Sequence, residues 1–182
     1  MVTPEINIKR ATPQDADLVS HLSKITFKDT FRGTCTDKEL QRFVDNAFSH
    51  DVTFNELKDE EDYYFIAWYN NVAAGYMRLK ENYTEYAAIK KYKALEVKRI
   101  YVLKEYQSKK VGAALMAYTL QLAAEKNYEV VWLGVWEHNE KAKSFYKKWD
   151  FTDTGDSHNF PIGDTPQTDN WLIKFIEKPK IL

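Results

Sequence analysis

Residues 95–135 constrain the fold more than any other part of the chain. A β-branched run at 95–103 leads through a turn at 104–106 into a helix that is predicted to begin within 107–112. Apolar residues then recur at helical spacing: Val111, Ala114, Leu115, Tyr118 and Leu122. Residues 130–135 form a continuous apolar run, which is typical of a central strand buried on both faces. This order predicts a βαβ unit with parallel strands and a right-handed crossover.

The turn that opens the predicted helix is a candidate anion site. The first turn of a helix leaves backbone N–H groups unpaired, and the helix dipole adds partial positive charge there. Lys109 and Lys110 add full positive charges, so a phosphate group is the expected ligand. The alternative is an ordinary helix N-terminus with two solvated lysines, because a fragment of a glycine motif is weak evidence by itself.

Composition indicates one globular domain over residues 1–182 and argues against several classes of function. The chain is 44% hydrophobic and 29% charged, which is ordinary for a protein with a buried core. A net charge of −1 argues against nucleic-acid binding by bulk electrostatics. There is no apolar run of membrane-spanning length and no signal-peptide pattern. The single cysteine, Cys35, excludes an internal disulfide, so a cytoplasmic protein is expected.

The first half of the chain shows a helix-capping pattern and a hairpin pattern. Thr36 and Glu39 form a capping box, with Cys35 as a hydrophobic staple residue. One strand followed by two helices is therefore predicted before residue 59. Asn70 and Asn71 separate two apolar runs and predict a tight hairpin.

The strand at 95–103 changes its alternation at Lys98 and Arg99. The apolar residues on either side of this switch lie on opposite faces: Leu95, Val97, Ile100 and Val102. Two charged residues at the switch indicate a β-bulge. Together these elements predict an α/β (α+β) fold with a mixed, twisted sheet of about seven strands and helices on both faces.

The chain resembles the GNAT superfamily of acetyl-CoA-dependent N-acetyltransferases. The superfamily's Q/R-x-x-G-x-G/A turn is matched at Gln107 and Gly112, with Lys110 where the first glycine is usual. The segments 99–107 and 134–137 resemble bacterial spermidine/spermine acetyltransferases of the PaiA type. Further matches extend the likeness over most of the chain: Asn139, Lys141, Ala142, Phe145, Tyr146, Gly155, Gly163 and Asp169.

The resemblance implies acetyl-CoA as co-substrate and a sheet that is split between its two central parallel strands. The backbone of the turn would hold the pyrophosphate, which gives these binding residues: Gln107, Ser108, Lys109, Lys110, Val111, Gly112 and Ala113. Other residues would hold the pantetheine arm and polarise the thioester carbonyl: Ile100, Tyr101, Val102, Asn139, Ala142 and Phe145. A bulge gives a physical reason for the split, because it unpairs backbone groups and opens a slot.

The resemblance also implies catalytic residues. Tyr146 would protonate the departing thiolate, although its spacing alone fits a core aromatic of an amphipathic helix. Aliphatic amines are mostly protonated at neutral pH, since their pKa is ~10, so a base is needed. Glu96 is the candidate base, with Glu81 and Asp29 as alternative carboxylates; Glu96 could instead be a surface residue paired with a nearby cation.

The expected acceptor is a small polycationic amine such as spermidine. The acidic residues 59–62 are either a solvated loop or part of a rim that attracts cations. Open alternatives are another amine acceptor, such as a protein N-terminus, an amino acid or an aminoglycoside, and a non-catalytic CoA-binding regulatory module. The histidines lack metal-ligand spacing, so no metal is expected. A monomer or homodimer without nucleic-acid or membrane partners is predicted, and the 160–170 loop is either functional or mobile.

Overall fold

The computed structural model describes residues 4–81 and 87–177. The strands are β1 (Ile6–Arg10), β2 (Asp62–Tyr69), β3 (Val72–Glu81), β4 (Ala94–Val102), β5 (Val130–Trp136), β6 (Thr152–Asn159) and β7 (Thr168–Phe175). The helices are α1 (Ala16–Phe31), α2 (Asp37–Ala47), α3 (His50–Lys58), α4 (Val111–Glu125) and α5 (Glu140–Lys147). The strands form one seven-stranded sheet in the order β1-β2-β3-β4-β5-β7-β6. The β4–β5 pair is parallel and the other pairs are antiparallel, which confirms the predicted mixed sheet.

Helices cover both faces of the sheet, as predicted. Helix α4 packs on the face that includes Phe65 and Met77. Helices α1 and α3 pack on the opposite face, against Tyr64 and Ile66. Because successive strand residues point to opposite faces, β2 contributes to both cores. Fully burying one such apolar side chain contributes about 1.5–3 kcal/mol, so the two cores hold the helices on the sheet.

The first helical layer contains three helices rather than the predicted two. Helix α3 was not predicted, although Ser49 caps it by accepting a hydrogen bond of 3.3 Å from the Val52 N–H. The capping box of α2 is confirmed: the Thr36 N–H donates to Glu39 Oε2 at 3.0 Å. The hairpin between β2 and β3 is also confirmed, with Asn70 and Asn71 both at positive φ.

Strand β4 carries the predicted bulge. Arg99 faces Arg78 in β3 and Val97 faces Leu79, so Lys98 is an extra residue in β4. On its other edge, the parallel ladder between β4 and β5 ends where Glu96 faces Trp132. Beyond that pair, β4 remains paired with β3 and β5 remains paired with β7. The two central parallel strands therefore splay apart after Glu96.

The segment 160–167 is anchored to α2. Ile162 is fully buried, and Glu39 accepts a hydrogen bond of 3.0 Å from the Asp164 N–H. Hydrogen bonds from Thr36 and Asp164 lower the pKa of Glu39 to about 2, so its carboxylate stays charged. Residues 83–93, whose polar sequence fits either a short helix or a loop, lie partly outside the described residues, and their described part begins with a 3-10 turn at Ala87–Ile89.

Candidate active site

The splayed ends of β4 and β5 open into a cleft of about 950 Å³. The turn at 107–113 and α5 line one side, which we call the turn side. Helix α1 and strands β6 and β7 line the other, which we call the β7 side. Thirteen of the fifteen predicted site residues line this cleft: Glu96, Ile100, Tyr101, Val102, Gln107, Ser108, Lys110, Gly112, Ala113, Asn139, Ala142, Phe145 and Tyr146.

The side chains of Lys109 and Val111 do not line the cleft, which differs from the prediction. The Lys109 ammonium lies over the rings of Tyr69 and Tyr106, 5.4 and 5.0 Å from their centroids. Val111 is buried in the core beneath α4 because it belongs to the apolar stripe of that helix. In this arrangement, these two residues present their backbone rather than their side chains to the cleft.

The turn side presents a helix N-terminus to the cleft. Helix α4 begins at Val111, later than the start of the predicted range, because Ser108 and Lys110 have left-handed backbones. The first helical hydrogen bond runs from the Ala114 N–H to the Lys110 carbonyl at 2.9 Å. The N–H groups of the three preceding residues therefore have no partner within the helix. This arrangement favours an anion.

Gln107 and Gly112 shape the turn side in different ways. The Gln107 side chain donates to the Val102 carbonyl at 3.1 Å and so ties the turn to β4. A Cβ added to Gly112 would lie 3.7 Å from Val102 Cγ2, so a larger side chain would fill the space above β4. Lys141 donates a hydrogen bond to Gln107 and adds a cation to this side that was not among the predicted site residues.

Tyr146 reaches the cleft from α5. Asn139 caps that helix by accepting a hydrogen bond of 3.1 Å from the Ala142 N–H, which confirms the predicted cap. Tyr146 is 7% exposed. Burial raises the pKa of its phenol, and the nearby charge of Asp169 raises it further. The phenol therefore keeps its proton at neutral pH and can act as a proton donor.

Asp169 on β7 is a cleft residue that the sequence did not single out as catalytic. Its carboxylate lies beside Gly134 of β5, where an added Cβ would lie only 3.0 Å from Asp169 Oδ2. Burial raises the pKa of Asp169 to about 7. Within the described part of the chain, its carboxylate accepts no hydrogen bond and pairs with no cation. A glycine inside an apolar strand was the one available signal, since it often marks a close approach.

The three carboxylates predicted as bases have different positions. Glu96 lines the cleft, is 8% exposed and pairs with the Lys98 ammonium at 3.1 Å. Asp29 lines the cleft from α1 and pairs with Lys104 at 3.1 Å. Glu81 does not line the cleft. Glu96 and Asp29 therefore remain candidates by position, but each shares its charge with a lysine.

The acidic residues 59–62 do not form a rim of the cleft, which corrects that part of the prediction. None of them lines it. Asp62 is buried and accepts two hydrogen bonds from the Arg78 guanidinium, at 2.9 and 2.7 Å. Asp59 pairs with Lys80 at 3.1 Å. These charges hold β2 and β3 together and are already matched by cations.

Aromatic side chains dominate the β7 side. The Phe31 ring lies 5.2 Å from that of Trp136 and 5.7 Å from that of Phe160, measured between centroids. The Trp136 Nε1–H is buried and has no acceptor among the described residues. No His, Cys, Asp or Glu side chains in residues 4–81 and 87–177 form a group of three or more that could hold a metal ion. In the same ranges, no helix is long and apolar enough to span a membrane.

Comparison with known proteins decides the family. The sequence model of the acetyltransferase (GNAT) family matches residues 26–151, which include the turn, both central strands and Tyr146. The chain belongs to the GNAT family. It is therefore an acetyl-CoA-dependent N-acetyltransferase, and the resemblance of the turn motif to this family is confirmed.

Relatives of this GNAT protein align with it along nearly its whole length. An uncharacterized N-acetyltransferase from Lactobacillus delbrueckii subsp. lactis, encoded in the pepI 3′ region, is 29% identical over 93% of this chain and 96% of its own. The structure of the PaiA N-acetyltransferase from Thermoplasma acidophilum, in complex with coenzyme A, matches with a TM-score of 0.74 at 19% identity, over 94% of this chain and 99% of that one. Arabidopsis thaliana NAA60, in complex with a bisubstrate analogue, matches with a TM-score of 0.72 at 13% identity, over 95% and 99%. At these identities the two structures show the shared fold alone.

Proposed function

We propose that the protein transfers the acetyl group of acetyl-CoA to a primary amine by direct attack in the β4–β5 cleft. The observation that carries this proposal is the end of the parallel ladder at Glu96. Beyond it, the facing edges of the two central strands no longer pair with each other. A pantetheine arm contains amides, so it can hydrogen bond to such an edge as an added strand does.

The residues of the turn side fit the other end of acetyl-CoA. The N–H groups at the start of α4 and the helix dipole suit the pyrophosphate. Lys110 and Lys141 line this side and add positive charge. Ala142 and Phe145 offer apolar surface next to Gly112 for the arm. The placement of Lys110 favours a phosphate-pairing ammonium at the position where the family more often has glycine.

Tyr146 is proposed as the general acid and a backbone N–H near Val102 as the oxyanion donor. Both groups line the cleft beyond the last β4–β5 pair. The phenol would protonate the thiolate as it departs. The ordinary pKa values of a phenol and a thiol, ~10 and ~8.5, are close, and burial raises both. Preorganised donors and proximity would provide most of the rate acceleration.

Two acceptor classes are supported by different observations. The assignment of a polyamine such as spermidine as the acceptor rests on the resemblance to PaiA-type enzymes. The charges of the cleft favour a singly charged amine with an apolar body, because Asp29 and Glu96 are already paired with lysines. Asp169 then offers one negative charge beside aromatic side chains, and aromatic rings also attract a single ammonium.

The test is acetyl-CoA-dependent release of CoA thiol with a panel of purified amines. The panel contains spermidine, spermine, phenethylamine, an amino acid, a peptide with a free N-terminus and an aminoglycoside. Turnover with an amine, and a matching acetylated product by mass spectrometry, is expected. If no amine is acetylated while CoA still binds, the protein is a CoA-binding module and the proposal fails.

Tyr146→Phe tests the general acid. Removing a general acid is expected to lower kcat by about 10²–10⁴-fold. Tyr118→Phe is the matched control, since Tyr118 lies on α4 against Phe65 and does not line the cleft. Equal turnover by Tyr146→Phe and Tyr118→Phe at saturating acetyl-CoA would remove Tyr146 from the mechanism.

A further inference from the structure

We propose that Asp169 is the general base that takes a proton from the acceptor ammonium. This proposal rests on the proposed amine acetylation. It assigns to β7 a role that the sequence had given to Glu96 on β4. Its first support is geometric, because Asp169 lines the same cleft as Tyr146 and the slot for the thioester.

The position of Asp169 is set by the β5–β7 ladder. The register partner of Asp169 in β5 is Trp136, and its register partner in β6 is His158. Because cross-strand partners point to the same face, all three side chains lie on the β7 side of the cleft. The absence of a Cβ at Gly134 leaves room for the carboxylate, whose Oδ2 lies 3.0 Å from the place a Cβ would take.

The groups that face Asp169 leave its negative charge uncompensated. They are Tyr146 from α5, Tyr101 from β4, Trp136 from β5 and His158 from β6. Burial is the main reason why the pKa of both tyrosines is raised, and the charge of Asp169 raises both values further, so this carboxylate is close enough to act on the proposed acid. Of the three carboxylates that line the described cleft, Asp169 is the one without a lysine or arginine partner. An incoming ammonium would supply the missing cation.

The protonation equilibrium of Asp169 suits a base. Burial raises its pKa from the ordinary 3.8 to about 7. An aliphatic ammonium has a pKa of ~10. Burial therefore reduces the gap between the pKa of the ammonium and that of Asp169 by about three units, which is a factor of about a thousand in the proton-transfer equilibrium. At neutral pH, roughly half of the carboxylates are ionised and ready to accept a proton.

The proton transfers balance as follows. Asp169 takes one proton from the ammonium, and the neutral amine forms a C–N bond to the thioester carbonyl. When the C–S bond breaks, Tyr146 gives its proton to the thiolate. The nitrogen, now a protonated amide, returns a proton to the Tyr146 phenolate. Asp169 then releases its proton to solvent, so one ammonium and one acetyl-CoA yield one amide, one CoA thiol and one proton.

The experiment compares kcat/KM for the amine between pH 5.5 and 9 in wild type and four variants. In wild type, kcat/KM is expected to fall as the pH drops through about 7, which is the acidic limb of the profile. This fall adds to the change that titration of the free amine causes. Asp169→Asn, which keeps the shape of the side chain, should lose that limb and about 10²–10⁴-fold in kcat/KM. It should bind CoA with the wild-type Kd by calorimetry, which also shows that it folds. Glu96→Gln and His158→Gln are the matched controls, and both should retain the limb.

The outcomes separate the two proposals. If no amine is turned over by the wild-type protein, both the proposed function and the base fail. If the wild type is active but Asp169→Asn keeps the limb, or if Glu96→Gln or His158→Gln removes it, only the assignment of Asp169 fails. Should Asp169→Asn not fold, the wild-type profile still decides, since a flat profile between pH 6 and 8 contradicts a base that titrates near 7. Partial recovery of activity and limb in Asp169→Glu would support the proposal.

Discussion

Substituting Lys110 by glycine separates conformation from charge at the residue that departs from the family's motif. Lys110 precedes α4 with a φ of 66°, in the left-handed region. A residue with a Cβ is disfavoured there by about 1–2 kcal/mol. Glycine removes this penalty but loses about 0.5–1 kcal/mol more entropy on folding. Lys110→Gly should therefore stabilise the protein by about 0.5–1 kcal/mol, which raises Tm by about 1–4 °C in a chain of this size.

The same substitution removes an ammonium from the turn side. An exposed ion pair contributes about 0.2–1 kcal/mol, so the Kd for acetyl-CoA should rise by up to about fivefold. Thermal unfolding followed by circular dichroism measures the first effect, and calorimetric titration with CoA measures the second. A more stable protein with weaker CoA binding is the expected combination.

Lys109→Gly is the matched control. Lys109 is not in the left-handed region, and its ammonium lies over the rings of Tyr69 and Tyr106. This variant should have a lower Tm and a smaller rise in Kd than Lys110→Gly. An equal fall in Tm for the two variants would refute the conformational argument. A wild-type Kd in Lys110→Gly would refute the pairing of Lys110 with a phosphate.

Three further predictions concern stability. The pKa of Asp169 is about 7 in the folded protein against 3.8 ordinarily, so this group makes the free energy of unfolding fall as pH rises from about 4 to about 7. The loss of stability is at most about 4 kcal/mol, or about 2 kcal/mol because solvent at the cleft screens the group. In urea unfolding, the difference in free energy of unfolding between pH 5 and pH 8 should be smaller for Asp169→Asn than for wild type. Equal differences in the two proteins would contradict the burial argument. Asp62→Asn breaks a buried ion pair with Arg78 and should cost about 3–5 kcal/mol in urea unfolding, so a change below about 1 kcal/mol would contradict it. Glu39→Ala should speed hydrogen exchange at the Asp164 amide and proteolysis within 160–167, and unchanged rates would show that other contacts hold this segment.

The βαβ unit and the bulge could be predicted because their signals are local. The helical stripe of α4 and the apolar run of β5 are each readable in a few consecutive residues. The change of alternation at Lys98 marks the bulge for the same reason, since a strand has a period of two. The bulge gave a physical reason for the split of the sheet, whereas the predicted residues of the cleft came from the family resemblance.

The position of Asp169 in the cleft could not be predicted because it depends on the register of two strands. The carboxylate of Asp169 comes to lie beside Gly134 only through the pairing of β5 with β7, and no local pattern specifies which residues of two distant strands meet. The prediction that the acidic residues 59–62 form a cation-attracting rim was wrong for a related reason. Asp62 is neutralised by Arg78, which comes from the neighbouring strand. Helix α3 was missed because it is only nine residues long, too short for a clear apolar stripe.

A crystal structure of the acetyl-CoA complex tests the central claim most directly. The account predicts the pantetheine arm between β4 and β5, the pyrophosphate at the first turn of α4, and the thioester between Tyr146 and Asp169. A pantetheine arm outside the β4–β5 slot, or a thioester that neither residue can reach, would contradict it.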